Sequence, residues 1–161
     1  GQAVSAALDL GADMVNVHAS GGRAMLEAAA KAGARSNPRA MVIAVTVLTS
    51  LDGAALAEVG LPPDPAAQAL RLAGLAHAAG LHGVVCSAHE IVSIRGLTGP
   101  DFRLVVPGLR PAGSAADDQK RVMTPRAAAL AGADYLVIGR PITAAPDPVA
   151  AALALAADLP S

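Results

Sequence analysis

The chain has 161 residues, is 53% hydrophobic and carries a formal net charge of −1, a length that supports one domain over 1–161 with a sizeable core. The near-neutral charge argues against a polyanion-binding surface, and a single Phe (Phe102) with a single Tyr (Tyr135) argues against modules that stack nucleic-acid bases on aromatic rings. No apolar run approaches the roughly 20 residues of a membrane span.

In chain order, "GQAVSAALDLG" reads as a helix ending at Gly11, and a short Val-rich run follows inside "LGADMVNVHA" (10–19). A helix is predicted from about Gly22 to Lys31, stopped by Gly33. The run "MVIAVTVLT" (41–49) reads as the next strand. Asp64 before Pro65 caps the helix "AAQALRLAGLAHAAG", because a carboxylate there accepts from free backbone N–H groups and Pro suits the first helical position. A strand follows inside "AGLHGVVCSA" (79–88), and His89-Glu90 opens a helix. "RLVVPG" (103–108) is the fourth strand-like run. Thr124-Pro125 opens "RAAALAG", a fifth run lies inside "AGADYLVIGR" (131–140), and Asp147-Pro148 opens "VAAALALAA".

Three of these segments resemble one another, with Gly11, Gly80 and Gly132 at matching positions. Gly just past a helix is the usual left-handed cap. The apolar runs are short and lack polar alternation, the pattern of strands buried on both faces of a parallel sheet. The order is a helix and then five strand–helix units, which implies right-handed crossovers. An open doubly wound sheet and part of an eightfold barrel both satisfy that order. The opening helix has no strand before it, and an eightfold barrel takes about 250 residues, so the barrel reading expects material upstream.

In either architecture ligands lie at the carboxyl ends of the strands. Gly139 there permits close approach of a ligand to the backbone, and Arg140 supplies a planar set of donors. A short helix starting near Pro141 would add backbone amides. Arg110 and Gln119 follow the preceding strand, so this pattern predicts an anion, phosphate above all, between the last two strand ends; the alternative is that Arg140 is a solvated strand-end charge and the loop is merely long. "HASGGRA" reads either as an anion nest or as a plain glycine turn. His18 reads as a hydrogen-bonded core or rim histidine, His77 and His82 as surface residues. Cys86, the single cysteine, reads as a small buried hydrophobe, and its isolation fits a reducing cytoplasm. The histidines lack metal-ligand spacing, and no dinucleotide, Walker or nucleophile-elbow motif is present.

"MVNVHASGG", "IAVTVLTS", "GVVCSA", "VVPGLRP", "DDQKRVMTP" and "YLVIGRPIT", in this order over nearly the whole chain, resemble the orotidine 5'-phosphate decarboxylase family, in particular its bacterial branch. The resemblance implies a TIM (β/α)8 barrel homodimer in the cytoplasm that needs no cofactor, takes a nucleotide (OMP, giving UMP and CO2), and binds neither nucleic acid nor membrane. It implies that Thr49 touches the pyrimidine and that Arg110, Gln119, Gly139 and Arg140 hold the nucleotide, chiefly its phosphate, under the loop 110–121.

The family's proton donor is a Lys in D-x-K-x-x-D-I-P-N-T after its third strand, flanked by carboxylates, and that motif is absent from these residues. The resemblance therefore makes the chain the C-terminal two-thirds of a barrel, strands four to eight with their helices, without catalytic residues of its own. It predicts no decarboxylation by this polypeptide alone, and association through the apolar edges left open. Other phosphate-binding barrels acting on sugar phosphates, and a non-catalytic nucleotide-binding remnant, are the alternatives.

Overall fold

The structure, a computed structural model, describes residues 1–111 and 123–160. Its strands are β1 (Met14–His18), β2 (Met41–Val45), β3 (Gly83–Val85), β4 (Arg103–Val106) and β5 (Tyr135–Leu136). They form one sheet in the order β1-β2-β3-β4-β5, every neighbouring pair parallel. The helices are α1 (Gln2–Asp9), α2 (Arg23–Ser36), α3 (Gly53–Glu58), α4 (Pro65–Ala78), α5 (Ile91–Thr98), α6 (Pro125–Ala131), α7 (Arg140–Thr143) and α8 (Pro148–Ala157).

The local signals act as their chemistry requires. Gly11, Gly80 and Gly132 have φ of 90°, 81° and 106°, the left-handed turn that sends each helix into the next strand without a Cβ clash. Asp64, Thr124 and Asp147 accept hydrogen bonds from the amides of Ala67, Ala127 and Ala150. Glu90 and Ser87 form a reciprocal cap, with Glu90 Oε2 accepting from the Ser87 amide at 2.9 Å.

Alternate strand residues face opposite sides. Val42, Ala44, Val84, Leu104 and Val106 are fully buried and pack with the helices in the main core. The other side is concave. The Tyr135 hydroxyl on β5 reaches Met41 Sδ on β2 at 4.0 Å, spanning β3 and β4, which requires the sheet to curl as a barrel wall does. Gly83 lies on that span, and a Cβ there would come within 2.2 Å of the Arg103 carbonyl oxygen.

Three expectations need correction. α2 does not stop at Gly33 but runs to Ser36. Gly33 is a packing residue: a Cβ there would sit 2.4 Å from Val42 Cγ2. The helix ends at Asn37, which is extended because Pro38 follows. β2 ends at Val45 rather than 49, and the residues beyond it turn toward α3, whose cap Asp52 accepts from the Ala55 amide. Finally, β1 and β5 are not buried on both faces; as the edges of an open, curled sheet they remain partly exposed.

The amino ends of β4 and β5 are tied by a polar junction. Arg95 Nη1 donates to the carbonyls of Gly99, Pro100 and Phe102, and Nη2 donates to the Gly132 carbonyl and to Asp134 Oδ2 at 2.6 Å. Asp134 also accepts from the Leu104 amide at 2.8 Å and from Arg103 Nη1 at 2.9 Å. Burial alone pushes the Asp134 carboxyl up, but the Leu104 amide and the two guanidinium groups outweigh it and hold the group below the usual carboxylate range.

A carboxyl depressed in the folded state stabilises the fold above its unfolded pKa of about 4, and that contribution is lost as pH falls through the folded value. Asp134→Asn is expected to cost about 1–3 kcal/mol near neutral pH and to flatten the acid side of the stability profile, read from thermal melts across acidic pH. An unchanged profile would contradict the junction's role. The open edges, with Tyr135 on β5 and Val137 just past it exposed and no residue of α8 buried, predict self-association. Size-exclusion chromatography is expected to show species larger than a monomer, and a monodisperse monomer with a cooperative melt would argue against this.

Candidate functional site

The loops that follow the strands carry the polar residues, and the sheet decides which of them become neighbours. β4 and β5 pair through Val105↔Tyr135 and Val106↔Leu136, and the Val137 amide continues the ladder to the Val106 carbonyl. Arg110 and Gly139-Arg140 therefore leave adjacent strand ends. Pro111 and Pro141, the residues after the two arginines, line one cavity of about 270 Å3.

Arg110 is buried, 7% exposed. Its Nη1 donates to the Leu109 carbonyl at 2.9 Å, and its amide donates to the Met123 carbonyl at 3.1 Å, closing the base of the intervening loop. Among the described residues no carboxylate pairs with it. A buried guanidinium with no carboxylate partner among the described residues is poorly solvated there and gains from an anionic ligand.

Gly139 precedes α7, and a Cβ built on it would meet no atom within 4 Å, so the backbone there is open to close approach. The predicted short helix exists as α7. Its Ile142 and Thr143 amides, however, donate to the Gly139 carbonyl, so the turn offers a ligand fewer amides than its sequence promised. Gln119 lies outside the described residues.

Thr49 stands after β2, across β3 and β4 from the arginines. It is half-buried in a turn closed by the Leu51 amide on the Leu48 carbonyl at 3.0 Å. A cavity of about 200 Å3 adjoins this turn, lined by His18, Ser20, Thr46, Leu48 and Gln68 among others. Gln68 and Thr46 are buried polar residues that sequence reasoning had not singled out. Gln68 Oε1 accepts from Arg71, and Thr46 Oγ1 donates to the Val85 carbonyl at 2.9 Å. Both sit inside apolar stretches, and only their placement marks them.

The histidines serve the scaffold or the rim. Of the core and rim positions expected for His18, it takes the rim, exposed at the end of β1. His77 is exposed and meets Phe102 edge-on at 5.1 Å. His82 is exposed as expected, yet its Nδ1 accepts from the Val42 amide at 3.0 Å. His77 and His82 line a cavity of about 500 Å3 at the amino ends of the strands, the end opposite the arginines. Among the described residues no three His, Cys, Asp or Glu side chains gather as a metal would need, and no helix is long and apolar enough to cross a membrane.

The sequence profile of the orotidine 5'-phosphate decarboxylase / HUMPS family matches residues 1–155. The chain is 58% identical over 157 residues to an orotidine 5'-phosphate decarboxylase of Halorhodospira halophila, covering 98% of this chain and 66% of that protein. It is 57% identical to one from Chromobacterium violaceum, covering 98% and 64% respectively. Among solved structures, an orotidine 5'-phosphate decarboxylase from Lactobacillus acidophilus superposes with a TM-score of 0.84 at 34% identity, covering 99% of this chain and 68% of that one. An uncharacterized conserved protein from Geobacillus kaustophilus superposes at 0.80 with 38% identity, covering 99% and 69%. The chain thus spans about two thirds of the length of the curated relatives it matches.

Cys86, the single cysteine, follows β3, and its surroundings disarm it. Burial first, and then the charge of Glu90, push its thiol up to about 12 against the opposing pull of Arg95. At mildly alkaline pH, iodoacetamide is expected to label Cys86 only after denaturant is added. Rapid labelling of the folded chain, followed by mass spectrometry, would contradict this.

Proposed function

The chain belongs to the orotidine 5'-phosphate decarboxylase / HUMPS family, and from that premise we propose that it supplies the nucleotide-binding part of a cytoplasmic OMP decarboxylase, the carbon–carbon lyase that forms UMP and CO2. Arg110, Gln119, Gly139 and Arg140 hold the nucleotide, chiefly its phosphate, and Thr49 meets the pyrimidine. The observation that carries this reading is Arg110, a buried cation for which no described carboxylate compensates, beside the strand end that bears Gly139 and Arg140.

Decarboxylation breaks the bond between the pyrimidine ring and its carboxylate, leaving the electron pair on the ring carbon until a proton arrives. These residues contain no D-x-K-x-x-D motif to deliver that proton. Their contribution is remote binding, which accelerates a reaction only when realised in the transition state. This polypeptide binds the product nucleotide and does not turn over OMP by itself; the complete enzyme works as a homodimer.

Isothermal titration with UMP tests the first half. Arg110→Ala and Arg140→Ala are each expected to weaken UMP about tenfold or more, the loss of a charged hydrogen bond, with weaker binding as salt rises. Variants that bind UMP like the parent would overturn the phosphate assignment. A CO2-release assay on rigorously purified chain tests the second half, and turnover above background would sink the claim of inactivity.

A further inference from the structure

We propose that Thr46 is a positioning residue for Thr49, acting through the Val85–Cys86 peptide group. This rests on the reading of Thr49 as the pyrimidine contact. The β2–β3 ladder ends at Val45↔Val85, so Thr46 is the first residue beyond it. The Val85 carbonyl nevertheless accepts twice from Thr46, from its amide at 3.1 Å and from its Oγ1 at 2.9 Å. The other side of the same peptide is also engaged, with the Cys86 amide donating to the Val105 carbonyl of β4 at 3.1 Å. One peptide plane therefore joins the ends of β2, β3 and β4, and the anchor that Thr46 grips is itself held in place.

From that anchor the chain has little freedom before Thr49. Val47 is buried, the Leu51 amide closes the turn on the Leu48 carbonyl, and Asp52 then caps α3. The segment 46–52 is pinned at both ends with Thr49 between. Without the Thr46 hydroxyl the amide bond remains, so the strand persists, but the loop's upstream pin is halved. Placement of a hydrogen-bonding side chain is sensitive to displacements well under 1 Å, so the loss falls on the contact to the base. The phosphate, held from β4 and β5, does not depend on this loop.

The test is a pair of ligands against three variants of the whole chain: UMP, and ribose 5-phosphate, which shares the phosphate and lacks the base. Thr46→Val is nearly isosteric and is expected to weaken UMP about five- to tenfold, the range for one lost hydrogen bond, leaving ribose 5-phosphate binding unchanged. Thr46→Ser retains the hydroxyl and is expected to bind both ligands like the parent. Thr49→Val is expected to lose UMP selectively as well. Equal weakening of both ligands by Thr46→Val would mean general loosening and would overturn the proposal. UMP binding unchanged in Thr46→Val but weakened in Thr49→Val would also overturn it while leaving the Thr49 reading intact. UMP binding unchanged in Thr49→Val would remove the Thr49 reading, and this inference with it.

Discussion

Arg95 and Asp134 hold together the part of the molecule from which the arginine loops depart. The Arg95 guanidinium collects the Gly99 and Gly132 carbonyls that cap α5 and α6, where the negative pole of each helix favours a cation, and the Pro100 and Phe102 carbonyls of the loop into β4. Asp134 then fastens that guanidinium to the starts of β4 and β5. Strands fixed at their amino ends deliver their carboxyl ends at a set height. Because β4 and β5 are so short, displacement at the junction is carried almost undiminished to Arg110 and Gly139.

The same economy appears in the packing. Much of the helix-facing core is alanine, and α2 lies so close to β2 that Gly33 has no room for a Cβ. Small residues bring the helices near the sheet, at the cost of apolar area per residue. The concave side has no such cover. Tyr135, Val137 and His18 are exposed there, and what stability the curl has comes from the helix side and from cross-strand contacts such as Tyr135 with Met41.

This division separates scaffold from function along the strands. At the amino ends His82, Arg95 and Asp134 bond backbone groups, and Arg103 bonds the Asp134 carboxylate. The carboxyl ends keep a buried guanidinium without a described carboxylate partner, an open glycine and a pinned turn. Such groups stabilise a fold poorly and suit a ligand well, and the Arg95–Asp134 junction that ties β4 to β5 lies at the end opposite them.

The alternation of strands and helices, the left-handed glycine corners at Gly11, Gly80 and Gly132, and the caps at Asp64, Thr124 and Asp147 were legible in the residues alone, because each depends on neighbours within a few residues. The sequence also marked Arg110, Gly139 and Arg140 through their place after apolar runs, and its motifs pointed to the family. Tertiary structure alone decided that Gly33 is a packing residue rather than a helix stop, since the reason is Val42 on another element. It decided likewise that Arg110 is buried, that β1 and β5 stand at the edges of a curled sheet, and that the Thr46 hydroxyl grips Val85. Those properties belong to pairs of residues far apart in the chain, and local pattern carries no record of a partner it does not contain.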